Sequence, residues 1–286
     1  MQPFICFVHI EKAGGITLHN VLHQALPGYL TPHPHPRFGE FFSKEDLQFV
    51  KRYLPLRVQG LGGHRMASFM DYESALNQPI FYFTFLRDPI KRYMSHINWQ
   101  ISMMGMGWTM ESFLEDPEKE NYHAYRIAGE RNREKALAEI RRFQFVGLLE
   151  HYDESLVILR QRLGIPNLDF RYQKANTMTQ KSRVYQFSEQ SPELQERIRQ
   201  ANAIDLELYE LTREELYPAF RAEYQGDLER DVAEFQASKA NYQHKRLHQI
   251  KRKGSTFFLR KVIQPTMLRV HGTHGVAPPI NPEKTF

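Results

Sequence analysis

The chain has 286 residues, one cysteine and a formal net charge of +5. That length suits one large α/β domain, or one domain with a helical extension, and it is ample for a buried core. A lone cysteine excludes an intramolecular disulfide, and no apolar run approaches the ~18 residues of a membrane span. The charge is uneven: residues 239–269 hold nine Lys or Arg and no Asp or Glu, whereas residues 1–238 hold 28 basic and 32 acidic side chains. A mildly acidic body with a basic tail is expected.

Phe4 to Val8 is an apolar run of β-formers without polar alternation, as in a strand buried on both faces of a parallel sheet. Cys6 lies inside it and reads as a small core residue. A strand that starts at residue 4 leaves no room for a signal peptide, so the expectation is a soluble, cytoplasmic chain. Glu11-Lys12-Ala13-Gly14-Gly15-Ile16-Thr17 follows, then Leu18, Val21, Leu22 and Ala25 at helical spacing. This is strand, glycine-rich turn, helix. The glycines allow close approach to a ligand, and the helix start offers free N–H groups to a phosphate or sulfate. Lys12 adds a full charge at the mouth. An ordinary turn between strand and helix is the plain alternative.

His19 and His23 share a helix face, with no third ligand for a metal. Residues 28–39 hold Pro32, Pro34 and Pro36 and read as a loop, and His33 and His35 within it lack further ligands. Ser43 to Tyr53 reads as a helix, with Ser43 and Asp46 in a capping box. Val58 to Leu61 reads as a second strand. Gly60, Gly62 and Gly63 read as a glycine-rich turn that places His64 at the end of the sheet, where open α/β sheets carry their active sites. A hydrogen-bonded structural histidine is the alternative. Pro79 to Leu86 is the clearest strand, and it runs into Arg87-Asp88-Pro89-Ile90-Lys91-Arg92-Tyr93-Met94-Ser95. Asp88 suits an N-cap and Pro89 the first helical position. Arg87 lies at the strand's carboxyl end, fit for fork-like recognition of a phosphate, or else for pairing with a carboxylate.

Trp99, Trp108, Tyr122 and Tyr125 read as core, with a sugar platform as the alternative. Helices are expected at 132–142 and 153–163 around a strand at 144–148. Residues 167–187 read as a loop whose Lys174, Asn176, Lys181 and Arg183 either close over a ligand or are simply solvated. A strongly helical stretch over 191–224 and a charged helix over 227–253 follow. Residues 255–270 alternate apolar and basic side chains, as in a helix lying on an anionic membrane surface or packed back on the acidic body. Residues 271–286 read as disordered. The domain reading is thus 1–225, a basic helical extension over 226–270, and a tail.

KAGGITL after a first strand, GGH before a helix and LRDPIKRYMS after a central strand together resemble the carbohydrate sulfotransferases related to the heparan sulfate 2-O-, 6-O- and uronyl sulfotransferases. The likeness covers about residues 4–215 and takes in FVGLLEHYDESLVILRQRLG. It implies a P-loop-like three-layer α/β sandwich around a parallel sheet, with the helical extension added. It also implies use of 3′-phosphoadenosine 5′-phosphosulfate, PAPS, without a metal, and transfer of its sulfuryl group to a carbohydrate hydroxyl. Lys12, Gly14, Gly15 and Thr17 match the family's loop for the 5′-phosphosulfate. Ala13 and Ile16 depart from its usual hydroxyl-bearing residues, which leaves backbone N–H groups at those positions. Arg87, Asp88, Pro89, Arg92 and Ser95 match the motif for the 3′-phosphate, with Arg87 and Ser95 as its grip. His64 matches the general base, and histidine suits proton transfer near neutral pH. Lys12 matches the residue that neutralises charge on the leaving oxygen.

Two other readings stand beside this one. A nucleotide-dependent small-molecule kinase is disfavoured because the lysine precedes the glycines, unlike G-x-x-x-x-G-K-[ST]. A non-catalytic binder of polyanions or membrane surfaces would use the 239–269 tail. Specific nucleic-acid binding is not expected from a tail alone.

Overall fold

The computed structural model describes residues 2–26, 28–32, 40–53, 58–173, 184–240 and 242–243, with single positions between 257 and 269. Its strands are β1 (Phe4–Val8), β2 (Tyr29–Leu30), β3 (Gly60–Gly63), β4 (Ile80–Leu86) and β5 (Phe145–Leu148). They form one five-stranded sheet in the order β2-β3-β1-β4-β5, and every pairing is parallel. Cys6 in the central strand lies opposite Leu61 on one side and Tyr82 on the other. The four longer strands are buried along their whole length, as uninterrupted apolar or glycine sequences require of a sheet covered on both faces.

The helices are α1 (Gly15–Ala25), α2 (Lys44–Tyr53), α3 (Tyr72–Leu76), α4 (Pro89–Met104), α5 (Met110–Glu115), α6 (Tyr122–Ala128), α7 (Arg133–Ile140), α8 (Tyr152–Arg162), α9 (Pro192–Ala201), α10 (Ala203–Leu211), α11 (Tyr217–Ala222) and α12 (Leu228–Lys239). From β1 the chain moves toward one edge, and from β4 toward the other. Right-handed crossovers therefore put α1 and the β4–β5 connection on opposite faces. The resulting crevice lies between the carboxyl ends of β1 and β4, where this class of sheet binds ligands. The expected P-loop-like α/β architecture is borne out. The main core is built on the sheet, and a smaller apolar cluster joins Tyr93 and Ile97 of α4 to Phe113 of α5 and Ile198 of α9.

Local chemistry explains several boundaries. Ser43 and Asp46 exchange reciprocal backbone-to-side-chain bonds of 3.0 and 3.1 Å at the start of α2. Asp88 accepts from the Lys91 N–H at 2.8 Å, and Pro89 opens α4. Three expectations need correction. The loop over 28–39 contains β2, because Tyr29 and Leu30 pair with Gly60 and Leu61. Strand β3 runs to Gly63, so its glycines are strand residues: a Cβ on Gly60 would lie 2.7 Å from the Ile5 carbonyl, and one on Gly62 1.9 Å from the Tyr29 hydroxyl. The helical stretch over 191–224 breaks at Asn202, whose backbone leaves the helical region at φ −120°.

The charged helix expected over 227–253 is described as α12, which ends at Lys239. It packs on the body through buried Phe235, and Lys239 bonds to Asp153 on α8. Among the described residues no helix is long and apolar enough to cross a membrane. The His33/His35 run, the basic loop at 174–183, most of the 241–270 tail and all of 271–286 lie outside the described residues.

Candidate active site

The loop between β1 and α1 turns on two left-handed residues, Lys12 at φ 67° and Gly14 at φ 84°. Glycine takes that conformation freely, whereas lysine is strained there. The Ala13 N–H bonds back to the Ile10 carbonyl at 3.3 Å, so it is already engaged. Leu18 is the first residue of α1 whose N–H reaches back to the Gly14 carbonyl, at 3.3 Å. The N–H groups of Gly14, Gly15, Ile16 and Thr17 thus have no partner inside the helix. Ala13 and Thr17 are buried, whereas Ile16 is 52% exposed and turns its side chain outward.

Two cations converge on this loop. Arg87, at the end of β4, donates from Nη1 to the Lys12 carbonyl at 3.1 Å. The Lys12 ammonium sits 5.0 Å above the centre of the Trp99 ring on α4. Burial and then the Arg87 charge push the Lys12 amine down to about 8, against the pull of Glu11. Ser95 lies four residues before Trp99 on α4, hence on the helix face that meets the loop. Arg92 belongs elsewhere: its guanidinium is fully buried, 4.9 Å over the Tyr122 ring.

His64 stands across the loop, just past β3. Its Nδ1 lies 3.1 Å from Glu11 Oε1 and 3.2 Å from the His9 carbonyl oxygen. Both partners are acceptors, so Nδ1 carries the hydrogen, which in the neutral ring leaves the lone pair on Nε2. The His64 side chain is 35% exposed and that of Glu11 26%. The second Glu11 oxygen, Oε2, accepts from the Tyr122 hydroxyl on α6. Burial acts to raise the Glu11 carboxyl, but the charges of His64 and Arg126 and the Tyr122 bond outweigh it and hold it at about 2.

Beneath the loop, His9 Nδ1 and His19 Nε2 are 3.0 Å apart, and His19 Nδ1 is 2.8 Å from the Tyr29 hydroxyl. The His9 ring stacks on His64 with centres 4.0 Å apart. Burial first, then neighbouring positive groups led by His64, pushes both His9 and His19 well below the usual range, so both rings are neutral. His23 bonds to Thr31 Oγ1 at 3.0 Å instead. Among the described residues no group of three His, Cys, Asp or Glu side chains is placed to hold a metal ion.

The structure therefore brings Lys12, Gly14, Gly15, Ile16, Thr17, Arg87 and His64 to one crevice, with Ser95 on the helix that lines it. Reading the sequence missed Glu11, Tyr122 and the His9–His19 pair. Glu11 was visible as the acidic residue beside Lys12 in the loop, whereas Tyr122 lies too far along the chain for any spacing rule to join it to Glu11.

The galactose-3-O-sulfotransferase family model matches residues 131–266. Human galactose-3-O-sulfotransferase 2 is 25% identical over 77% of this chain and 61% of its own length. Mouse galactosylceramide sulfotransferase is 27% identical over 57% of this chain and 44% of its own length. The chain thus spans about three fifths or less of the curated relatives it matches. A solved sulfotransferase from Alicyclobacillus acidocaldarius aligns with 77% of this chain and 99% of its own, at 17% identity and a TM-score of 0.45. The family model and the curated relatives bear out the resemblance carried by the motifs: the chain is similar to the carbohydrate sulfotransferases.

Proposed function

We propose that the chain is a sulfotransferase that uses PAPS and sulfates a hydroxyl of a carbohydrate or glycolipid acceptor. The observation that carries this reading is the fastening of Arg87 to the Lys12 carbonyl, with His64 across the same loop. The relatives' names point to a galactose-bearing acceptor.

The residues present fit the donor. Four N–H groups without a partner inside the helix at the start of α1, next to the Lys12 ammonium, suit a 5′-phosphosulfate. Arg87 and the Ser95 hydroxyl suit a 3′-phosphate, which a guanidinium recognises by two parallel bonds. When bound, PAPS supplies the sulfuryl group. His64 Nε2, bare of hydrogen, takes the proton of the attacking hydroxyl. Lys12 offsets negative charge that gathers on the bridging oxygen between sulfate and phosphate. Positioning and charge stabilisation do most of such work, as they do in phosphoryl transfer.

Calorimetric titration with 3′-phosphoadenosine 5′-phosphate, PAP, beside ADP tests the donor site. PAP is expected to bind the more tightly, and equal affinity or no binding would remove the sulfotransferase reading. With lactose and galactosylceramide as acceptors, His64→Ala is expected to lower turnover by about 10²-fold or more with PAP affinity retained. Unchanged turnover in that variant would take His64 out of the role.

A further inference from the structure

We propose that Glu11 is a positioning residue for His64, and that the Tyr122 hydroxyl holds Glu11 in place for it. The inference rests on the reading of His64 as the base. It concerns a residue outside the matched motif, joined to His64 only through the fold.

The two oxygens of Glu11 are divided between two donors, Oε1 to His64 Nδ1 at 3.1 Å and Oε2 to the Tyr122 hydroxyl. A carboxylate held at both ends cannot rotate away from the imidazole. It is ionised across the working range, so it accepts only, and it keeps the hydrogen on Nδ1. Nε2 is then the nitrogen that faces an acceptor. Once Nε2 has taken a proton, the imidazolium lies against a full negative charge, the arrangement by which carboxylate–histidine pairs support a base. The His9 carbonyl at 3.2 Å fixes the ring from a second direction, but it carries no net charge.

Tyr122 is itself fixed. The Arg92 guanidinium lies 4.9 Å over its ring. The start of α6 is tied down by Asp205, which accepts from the His123 and Ala124 N–H groups at 2.8 and 2.9 Å. Arg92, a residue of the expected 3′-phosphate motif, thus acts inside the protein, on the tyrosine that holds Glu11. The charged and titratable groups around Glu11 are His64 after β3, Lys12 on its own loop, Arg92 and His96 on α4, and Tyr122 and Arg126 on α6.

The test compares the full chain with Glu11→Gln, Glu11→Asp and Tyr122→Phe. Nitrogen-15 NMR of the imidazoles needs no acceptor. In the neutral imidazole of the unaltered chain His64 is expected with hydrogen on Nδ1 and a bare Nε2, and Glu11→Gln should keep that tautomer, because the His9 carbonyl still accepts at Nδ1, while losing the negative charge that supports the imidazolium. With lactose or galactosylceramide, Glu11→Gln is expected to lower kcat by about 10-fold or more, up to the ~10⁴-fold lost when the carboxylate behind a general-base histidine becomes an amide. KM should change little, and the acid limb of the rate profile should move to lower pH. PAP affinity should hold or tighten, because a negative charge has left the anion site. Glu11→Asp should recover part of the rate, and Tyr122→Phe should cost less than Glu11→Gln.

Hydrogen on Nε2 in the neutral imidazole of the unaltered chain, or an unchanged rate profile in Glu11→Gln, would overturn the proposal. So would a Glu11→Gln defect confined to PAP affinity. If His64→Ala is inactive while Glu11→Gln is fully active, only this inference fails. If His64→Ala is fully active, the base assignment fails with it.

Discussion

Arg87 Nη1 donates to the carbonyl oxygen of Lys12 across 3.1 Å, so the cation that ends β4 is fastened to the loop that follows β1. This bond spans the switch between the two central strands and makes one site of two distant motifs. A guanidinium fork carries five N–H donors, so the same side chain can also meet a ligand phosphate.

Arg87→Ala removes both the latch and the fork. Charge-assisted bonds of this kind contribute about 1.5–3 kcal/mol, so PAP affinity should fall about 10- to 100-fold. The loss for ADP should be smaller, because ADP lacks a 3′-phosphate. Calorimetry with both nucleotides checks this. Equal losses would mean that Arg87 serves the loop alone.

Gly15 is needed for a reason the motif does not state. A Cβ there would lie 1.8 Å from His9 Nε2, far inside any real contact. His9 has no room to yield, being bonded to His19 and stacked on His64. Gly15→Ala should therefore displace the loop, lower stability by about 1–3 kcal/mol and weaken PAP binding. Urea unfolding and calorimetry measure the two effects. Gly107→Ala is the control, since nothing lies within 4 Å of a Cβ there. Similar behaviour of the two variants would show that the fit against His9 is loose.

The sequence made the sheet legible because its strands are short apolar or glycine runs closed by turns, and because β1 and β4 lead straight into helices. Lys12, Arg87 and His64 each follow a strand, so their meeting at one end of a parallel sheet could be foreseen. The support beneath them could not. Tyr122 reaches Glu11 from α6, and Asp205 braces α6 from α10, contacts that only tertiary packing creates. Arg92 matches the motif by resemblance, but only the fold shows that its buried guanidinium lies over the Tyr122 ring. The glycines of β3 were read as a turn because their partner, Tyr29, sits in a strand of only two residues.

Lys12 gives the site a pH dependence with a definite sign. Burial and the Arg87 charge lower its amine to about 8, from an ordinary value of 10.5. Below about pH 8 the side chain is an ammonium and attracts the donor's phosphate, and above it the folded protein presents a neutral amine. PAP affinity should therefore decline as the pH rises through about 8. The effect on folding runs the other way. Between about 8 and 10.5 the unfolded chain binds a proton that the folded chain does not, so this group's contribution to stability grows with pH across that window and is lost as pH falls through about 8. Lys12→Arg keeps its charge throughout and should flatten both trends. Calorimetry with PAP and urea unfolding at matched pH values give the comparison. An affinity that declines equally in both proteins would assign the titration to another group, and a flat profile in the unaltered chain would place the Lys12 charge outside donor binding.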